Sequence, residues 1–364
     1  MASTASARLW RLDVIRGAAI VFVVLMHAYF DPPGWAPDHQ AYPARLAYFL
    51  GHTVVPLFFL ISGFLFAREA RHTTRDLARR KAATILVPAL LWSLVAVGVR
   101  VHSLGLDARQ GAIDLVTLNA GGQFFYVFVL LILFGAALPV RHWPAMKLAL
   151  LALAFAAAGL LRPLALERDW PATNLGAIAA YRDPLLWGGY FLVGMAVAKR
   201  PVRLPRSLVP VAALAGATLI AAWFTQAHLT GAYPDSYFSP FVYLFGWLLV
   251  LCAAPALPGP AGVPALALRP LEWLGRHSYA IFLAHMPLFI GLVTDAWYPE
   301  AALDDYASRV LFRFATGLLG PMALVLLASR VLPARIARYT GFPGRPSAPR
   351  GSGLPSPTRR PREA

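Results

Sequence analysis

A succession of long apolar runs constrains this chain most, because each run approaches the roughly 20 residues that an α-helix needs to cross a bilayer. Of the 364 residues, 58% are hydrophobic and 14% are charged, whereas soluble proteins carry about 25% charged residues. Runs such as 148–161 do not alternate polar and apolar residues, which argues against an outer-membrane β-barrel. The sequence therefore predicts an all-α fold, a polytopic transmembrane helical bundle.

The length of the apolar runs predicts about ten membrane helices. The expected spans are 13–30, 45–67, 82–103, 122–140, 146–164, 183–198, 207–229, 238–256, 271–293 and 306–332. The loops between them separate by charge, and the positive-inside rule assigns the basic set to the cytoplasm. Both termini are then cytoplasmic, and the net charge of +16 is explained without any nucleic acid.

The two sets of loops differ clearly in composition. The basic set contains Arg8, Arg11, Arg68, Arg71, Arg75, Arg79, Arg80, Lys81, Arg141, Lys147, Lys199, Arg200, Arg203, Arg206, Arg269, Arg276 and the tail from Arg330 onward. The opposite set holds most of the acids, namely Asp31, Asp38, Asp107, Asp114, Glu167, Asp169, Asp235, Asp295, Glu300, Asp304 and Asp305.

Composition also divides the chain into two parts. Residues 1–335 are predicted to form an integral membrane domain, and residues 336–364 a disordered basic cytoplasmic tail that contacts anionic lipid headgroups. Cys252 is the only cysteine, so neither a disulfide framework nor a thiolate metal cluster is expected. The segment before Asp13 is too polar for a removable signal peptide.

The first membrane helix carries ionisable residues, which are costly in lipid and therefore functional candidates. Asp13 and Arg16 lie one turn apart and can pair on one face. Arg16 and His27 are eleven residues apart, about 16 Å along the axis and close to three full turns, so they share one stripe. Arg16 is expected at the cytoplasmic mouth, and His27 deeper in the membrane as a general base. The alternative is a cytoplasmic anchor and a structural histidine.

The second segment and the loop after it supply further candidates. Ser62 is expected to pack against another helix rather than act as a nucleophile. In the loop, one hypothesis is that Arg79, Arg80 and Lys81 bind a phosphorylated ligand. The simpler alternative is that they set the membrane topology and contact lipid headgroups. The loop contains no glycine-rich phosphate motif, so a nucleotide-hydrolysing site is not supported.

The ninth segment, with the sequence LEWLGRHSYAIFLAHMPLF, contains Arg276 at its cytoplasmic end and His285 in its apolar interior. Tyr279 is expected to pack or donate a hydrogen bond. Pro287 should kink the helix and free backbone groups from their hydrogen bonds. His285 is expected to satisfy those groups, and the alternative is a catalytic role.

Five stretches together resemble the acyltransferase 3 family of membrane acyltransferases. They are RLDVIRGAAIVFVVLMH at 11–27, VPLFFLISGFLF at 55–66, ARRKAATILVPALLW at 78–92, LLWGGYFLVGMAVA at 185–198 and LGRHSYAIFLAHMPL at 274–288. They follow the family's order, and the resemblance covers roughly residues 8–335.

The resemblance implies a ten-helix enzyme of the bacterial cytoplasmic (inner) membrane. It would transfer an acyl group, most often acetyl, from acyl-coenzyme A to a hydroxyl of a carbohydrate or glycosylated acceptor, without a metal. Arg16 and His27 match the family's arginine-then-histidine motif, with His27 as the essential histidine. Arg79 and Arg80 correspond loosely to the arginines of the family's cytoplasmic loop. Together with Lys81 and Arg276, they are the residues expected to bind coenzyme A.

Two other classes of function are compatible with the residues alone. A transporter or exporter would use His27, His285 and Arg16 as a proton or substrate path. A membrane scaffold would have no need for ionisable groups inside the membrane. Aromatic residues of the outer half either stack on sugars or, as the better interpretation, form the interfacial belt; they include Trp35, Tyr42, Trp170 and Tyr237.

Overall fold

The computed structural model describes residues 9–29, 42–166, 181–230, 237, 239–257, 265–293 and 306–344, and within these ranges it contains helices and no strands. Trp35, Trp170, Arg8 and most of the acids assigned to the second set of loops lie outside the described residues. Those acids are Asp31, Asp38, Glu167, Asp169, Asp235, Asp295, Glu300, Asp304 and Asp305.

The helices follow the predicted spans closely, with short helices added between them. In chain order they are α1 Trp10–Ala28, α2 Tyr42–Arg68, α3 Thr74–Lys81, α4 Val87–Leu104, α5 Ala108–Val116, α6 Phe125–Ala137, α7 Ala145–Leu166, α8 Pro184–Lys199, α9 Leu208–Thr230, α10 Pro240–Ala253, α11 Arg269–Arg276, α12 Ser278–Ala284, α13 Tyr306–Val331 and α14 Ala334–Thr340.

Four helices are long and apolar enough to cross a membrane, at 45–68, 74–102, 208–230 and 307–331. Shorter apolar helices lie at 122–137, 145–161, 184–199, 240–256 and 278–292. The all-helical membrane fold is thus confirmed for the described residues. Ten crossings and cytoplasmic termini stay predictions.

Helix α2 lies at the centre of the bundle. In its most apolar window 83% of the residues are buried, against 28% or less in the other three candidate spans. The backbones of α2 and α8 are in direct contact where the two helices cross. A Cβ on Gly63 would overlap the carbonyl of Phe191, and a Cβ on Gly194 would overlap the carbonyl of Leu60. In lipid the hydrophobic effect does not drive helices together, so close packing through small residues stabilises such a crossing.

Aromatic contacts show that α2 and α6 run in the same direction. Phe59 lies 4.8 Å from Tyr126 and Phe66 lies 5.4 Å from Phe134, measured between ring centroids. Met26 near the end of α1 meets Gly51 in the first half of α2, so α1 runs the opposite way. We call the end where α1 begins, next to α3, the basic end, and the end where α1 finishes the opposite end.

A second close crossing anchors the first helix. A Cβ on Gly17 would overlap the carbonyl oxygen of Leu271, and one on Gly275 would overlap that of Asp13. The backbones of α1 and the short helix α11 therefore touch near the basic end. This contact sets the position of α12, which continues from α11 after His277.

Two π-helical segments interrupt the α-helical pattern. Ala82–Leu86 joins α3 to α4, and His285–Val293 continues α12. Each precedes or contains a proline, Pro88 or Pro287, whose ring prevents regular helical hydrogen bonding. π-Helical turns within helices are often found at functional sites.

The disorder predicted from residue 336 onward is contradicted for residues 336–342. Helix α14 extends to Thr340, and Phe342 beyond it is 8% exposed and stacks on Trp92, whose indole donates to the carbonyl of Thr340. Apolar side chains interleave with the basic ones as far as Phe342, and their burial against α4 orders this stretch. The predicted disorder of 345–364 lies outside the described residues.

Candidate active site

A cavity lies between α1, α2, α6 and α12, and it encloses about 580 Å³ when the part open to solvent is included. Most of its exposed wall surface is apolar, as in most small-molecule sites, although seven of its thirteen lining side chains carry a polar group. The polar side chains are Arg16, His27, Gln123, Tyr126, Tyr237, Ser278 and Tyr279, and the apolar ones are Val23, Met26, Val55, Phe58, Phe125 and Phe282.

The predicted stripe on α1 forms one wall of this cavity. Arg16, Val23 and His27 all line it, as their spacing on a 3.6-residue helix requires. Arg16 lies toward the basic end, whereas His27 is the penultimate residue of α1, toward the opposite end. The cavity therefore connects a cation and an imidazole along one helix face.

His27 meets a second histidine inside the bundle. His27 Nδ1 lies 3.2 Å from His285 Nε2, and the two ring centroids are 5.2 Å apart. The side chains are separated by 258 residues in sequence, and His285 is fully buried. The contact joins the predicted base on α1 to the ninth segment.

The hydrogen bonds of His285 determine which ring nitrogen carries the proton. His285 Nδ1 lies 3.1 Å from the carbonyl oxygen of Ile281 and 2.9 Å from that of Phe282. A carbonyl only accepts, so Nδ1 of His285 is the donor and its Nε2 holds a lone pair. His27 Nδ1 must then donate to that lone pair. The neutral imidazole of His27 keeps its basic lone pair on Nε2.

The hydrogen-bonding role expected of His285 is seen at its Nδ1, whereas a catalytic role stays a prediction. Its Nδ1 satisfies carbonyl groups before the π-helical segment that contains Pro287, as the backbone argument predicted. Its Nε2 accepts the hydrogen bond from Nδ1 of His27. The two contacts of His285 could not be foreseen together, because the one with His27 arises only in the folded bundle.

Ser62 supports a residue of the cavity rather than lining it. Its hydroxyl lies 2.9 Å from that of Tyr126, which lines the cavity and donates to the carbonyl of Phe58 at 3.4 Å. This agrees with the expectation that Ser62 packs rather than attacks a substrate.

Tyr279 connects the cavity to the first π-helical segment. Its side chain lines the cavity, and its hydroxyl donates to the carbonyl of Ile85 at 2.7 Å. The predicted hydrogen-bonding role is confirmed. The contact holds α12 against the start of α4.

The basic residues expected to bind coenzyme A lie outside the cavity wall. Arg79 and Arg80 are exposed on α3 at the basic end. Lys81 forms an ion pair with Glu69 at 3.0 Å, and Arg276 pairs with Glu272 one turn away. Because Lys81 and Arg276 already have carboxylate partners, Arg79 and Arg80 are better placed to receive a phosphate. Their role stays a prediction.

Asp13 does not line the cavity. It is 6% exposed, and its backbone contacts Gly275 at the crossing of α1 with α11. The predicted pairing of its carboxylate with Arg16 stays a prediction.

Several residues of the site were missed from sequence. Tyr126 and Phe282 lie within apolar runs, and nothing in these runs indicates that the two side chains line a cavity. Gln123 is the one carboxamide in the run QFFYVFVLLILF, whose only other polar side chain is Tyr126, and this was the available signal. Arg313, in the middle of an apolar helix, lies close enough to His27 for an electrostatic interaction and was likewise visible as a charge in a membrane span.

The described part of the chain contains no group of three histidine, cysteine or acidic side chains arranged to hold a metal ion.

The family model described as "Acyltransferase domain", of the acyltransferase 3 family, matches residues 9–333, nearly the whole chain. The chain belongs to the acyltransferase 3 family. Neither a curated protein nor a solved structure matches it. The resemblance seen in the sequence is thus confirmed. Family membership and the apolar helices identify this acyltransferase 3 protein as a membrane protein and support acyltransferase activity.

Proposed function

We propose that the protein is an O-acyltransferase of the bacterial cytoplasmic membrane. It transfers an acyl group, acetyl in the first instance, from acyl-coenzyme A to a hydroxyl group of a carbohydrate or glycosylated acceptor. The observation that carries this proposal is the chain of hydrogen bonds from two backbone carbonyls through His285 to His27, which supports a basic Nε2 on His27 in the cavity wall.

The cavity suits the two substrates at its two ends. Arg16, with the exposed Arg79 and Arg80 beyond it, supplies positive charge toward the basic end, where the phosphates of coenzyme A would bind. The largely apolar wall between Arg16 and His27 accommodates the uncharged arm that carries the thioester. The acceptor then approaches His27 from the opposite end.

The reaction follows from these positions. His27 Nε2 takes the proton of the acceptor hydroxyl while its oxygen attacks the thioester carbonyl carbon. The tetrahedral intermediate collapses, the carbon–sulfur bond breaks, and the thiolate of coenzyme A takes the proton from His27. The ester and free coenzyme A leave, and His27 returns to its neutral form.

The test compares His27→Ala with the wild type and with His228→Ala, which removes an exposed histidine on α9. Each is expressed in a strain that lacks the gene, and ester-linked acyl groups on surface glycans and glycosylated metabolites are measured by mass spectrometry. Coenzyme A release by the purified proteins in lipid nanodiscs is measured in parallel.

We expect His27→Ala to lower acyl transfer by ~10²–10⁴-fold, the usual contribution of a general base, while His228→Ala behaves as the wild type. Near-wild-type turnover by His27→Ala would exclude the role of this histidine. Uptake or efflux in proteoliposomes without any requirement for coenzyme A would favour a transporter instead.

A further inference from the structure

Gln123 is a buried amide without a described partner in the wall of the cavity. Its side chain is 3% exposed, and within the described ranges neither its Oε1 nor its Nε2 forms a hydrogen bond. Buried amides are nearly always paired, because an unmet donor and acceptor lose their hydration without compensation. An orphaned carboxamide facing a cavity indicates a ligand that pairs with it.

The loop before Gln123 is held firmly by Arg182. The guanidinium of Arg182 donates to the carbonyls of Thr117 and Leu118 and to the side-chain oxygen of Asn119, each within 2.9 Å. Leu118 adopts a left-handed conformation with φ of 52°, which is unfavourable for a side chain with a Cβ. The surrounding contacts maintain this conformation.

A second ion pair completes this support. Arg100 on α4 donates to the carboxylate of the buried Asp114 at 2.6 Å, and the carbonyl of Asp114 accepts from the backbone of Asn119 at 2.7 Å. The chain then reaches Gly121, and the amide oxygen of Gln123 folds back so closely that a Cβ on Gly121 would lie 2.6 Å from it. The loop held by Arg182 and by the ion pair of Arg100 with Asp114 thus positions the amide of Gln123.

The position of Gln123 favours the acceptor over the donor. It lies in the turn that leads directly into α6, on the side of the cavity away from α3. Arg16 lies toward the basic end, where the donor's phosphates are proposed to bind. A neutral amide with one donor and one acceptor side matches two neighbouring hydroxyl groups of a sugar, and Phe125, Tyr126 and Tyr237 surround that part of the cavity with aromatic rings.

We infer that Gln123 is the acceptor-recognition residue, its Oε1 accepting from one sugar hydroxyl and its Nε2 donating to the neighbouring one. This inference rests on the proposed function. It assigns the part of the cavity near Gln123 to the neutral, polyhydroxylated part of the acceptor. The hydroxyl that is acylated is then the one presented to His27 while its neighbours are held by Gln123.

The test uses one direct variant and one matched pair. Gln123→Met removes both hydrogen-bonding atoms while keeping the length of the side chain. Gly121→Ala displaces the amide without altering it, whereas Gly122→Ala adds the same methyl group where nothing lies within 4 Å. Acylated glycans from the complemented deletion strain, the Tm of each purified protein and its affinity for radiolabelled acetyl-coenzyme A are measured.

We expect Gln123→Met to lower glycan acylation at least tenfold, Gly121→Ala to lower it severalfold, and Gly122→Ala to leave it unchanged. The Tm of Gln123→Met should equal or exceed that of the wild type, and the affinity for acetyl-coenzyme A should be unchanged in all three. Wild-type acylation by Gln123→Met, a Tm several degrees lower, or a weakened donor affinity would each overturn the inference.

His27→Ala in the same experiment separates this inference from the proposed function. Loss of acylation in His27→Ala but not in Gln123→Met refutes only the role of Gln123. Full acylation with His27→Ala, or no acyl group that depends on the gene, refutes the proposed function and the inference with it.

Discussion

Replacing His285 by phenylalanine removes the acceptor for the Nδ1 proton of His27 while preserving a buried aromatic ring. The bond lost is the 3.2 Å contact between the two rings. A neutral hydrogen bond contributes about 0.5–1.5 kcal/mol net, and each 1.36 kcal/mol of barrier is about tenfold in rate. Because the pair is buried, where such bonds are stronger, we expect kcat to fall about tenfold.

The two carboxamide variants provide the matched comparison. In His285→Gln the side-chain oxygen reaches the position of Nε2 and can accept from His27, so kcat should remain within about threefold of the wild type. In His285→Asn the amide reaches only the position of Nδ1, so it keeps a donor for the carbonyls of Ile281 and Phe282 but offers His27 no acceptor. Its kcat should resemble that of His285→Phe.

The assay is the initial rate of coenzyme A release in nanodiscs, with kcat and the KM for acetyl-coenzyme A determined separately for each variant. A residue that orients the base changes kcat and leaves this KM unaltered. The Tm of each variant reports any loss of folding. Wild-type kcat in His285→Phe, or failure of glutamine to restore what asparagine loses, would refute the orienting role.

Two further changes test the packing and the donor end of the cavity. Gly275→Ala places a methyl group on the carbonyl of Asp13, so we expect about 1–3 kcal/mol of destabilisation and a lower Tm. Its control, Gly135→Ala, meets nothing within 4 Å and should stabilise its helix by about 0.4–1 kcal/mol; equal Tm values would contradict the close crossing. Arg16→Gln should raise the KM for acetyl-coenzyme A about tenfold or more, since hydrogen bonds to charged groups contribute about 1.5–3 kcal/mol. An unchanged KM in initial-rate measurements would remove Arg16 from donor binding.

Much of the site on α1 was predictable because it depends on one helix. Eleven residues come close to three turns, so the spacing of Arg16 and His27 already places them on one face, and both line the cavity. The apolar run lengths predicted the spans because lipid requires every backbone group to be paired within a helix.

The remaining features of the site depend on contacts between distant segments. Periodicity showed that His285 is buried but gave no partner, because its contact with His27 spans 258 residues. The sequence indicated no ion-pair partner for Lys81 or Arg276. Folding brings Glu69 to Lys81, and the helical turn of α11 pairs Arg276 with Glu272.

The sequence by itself determined the membrane-helical class, the family and the helix that carries the arginine and the histidine, since each depends on composition, motif or the geometry of one helix. The tertiary structure decided which nitrogen of His27 is basic and which amide faces the cavity without a hydrogen-bond partner among the described residues. Hydrogen bonds across the bundle are set by how helices cross, and the glycines at those crossings act through neighbours that a local sequence pattern does not specify.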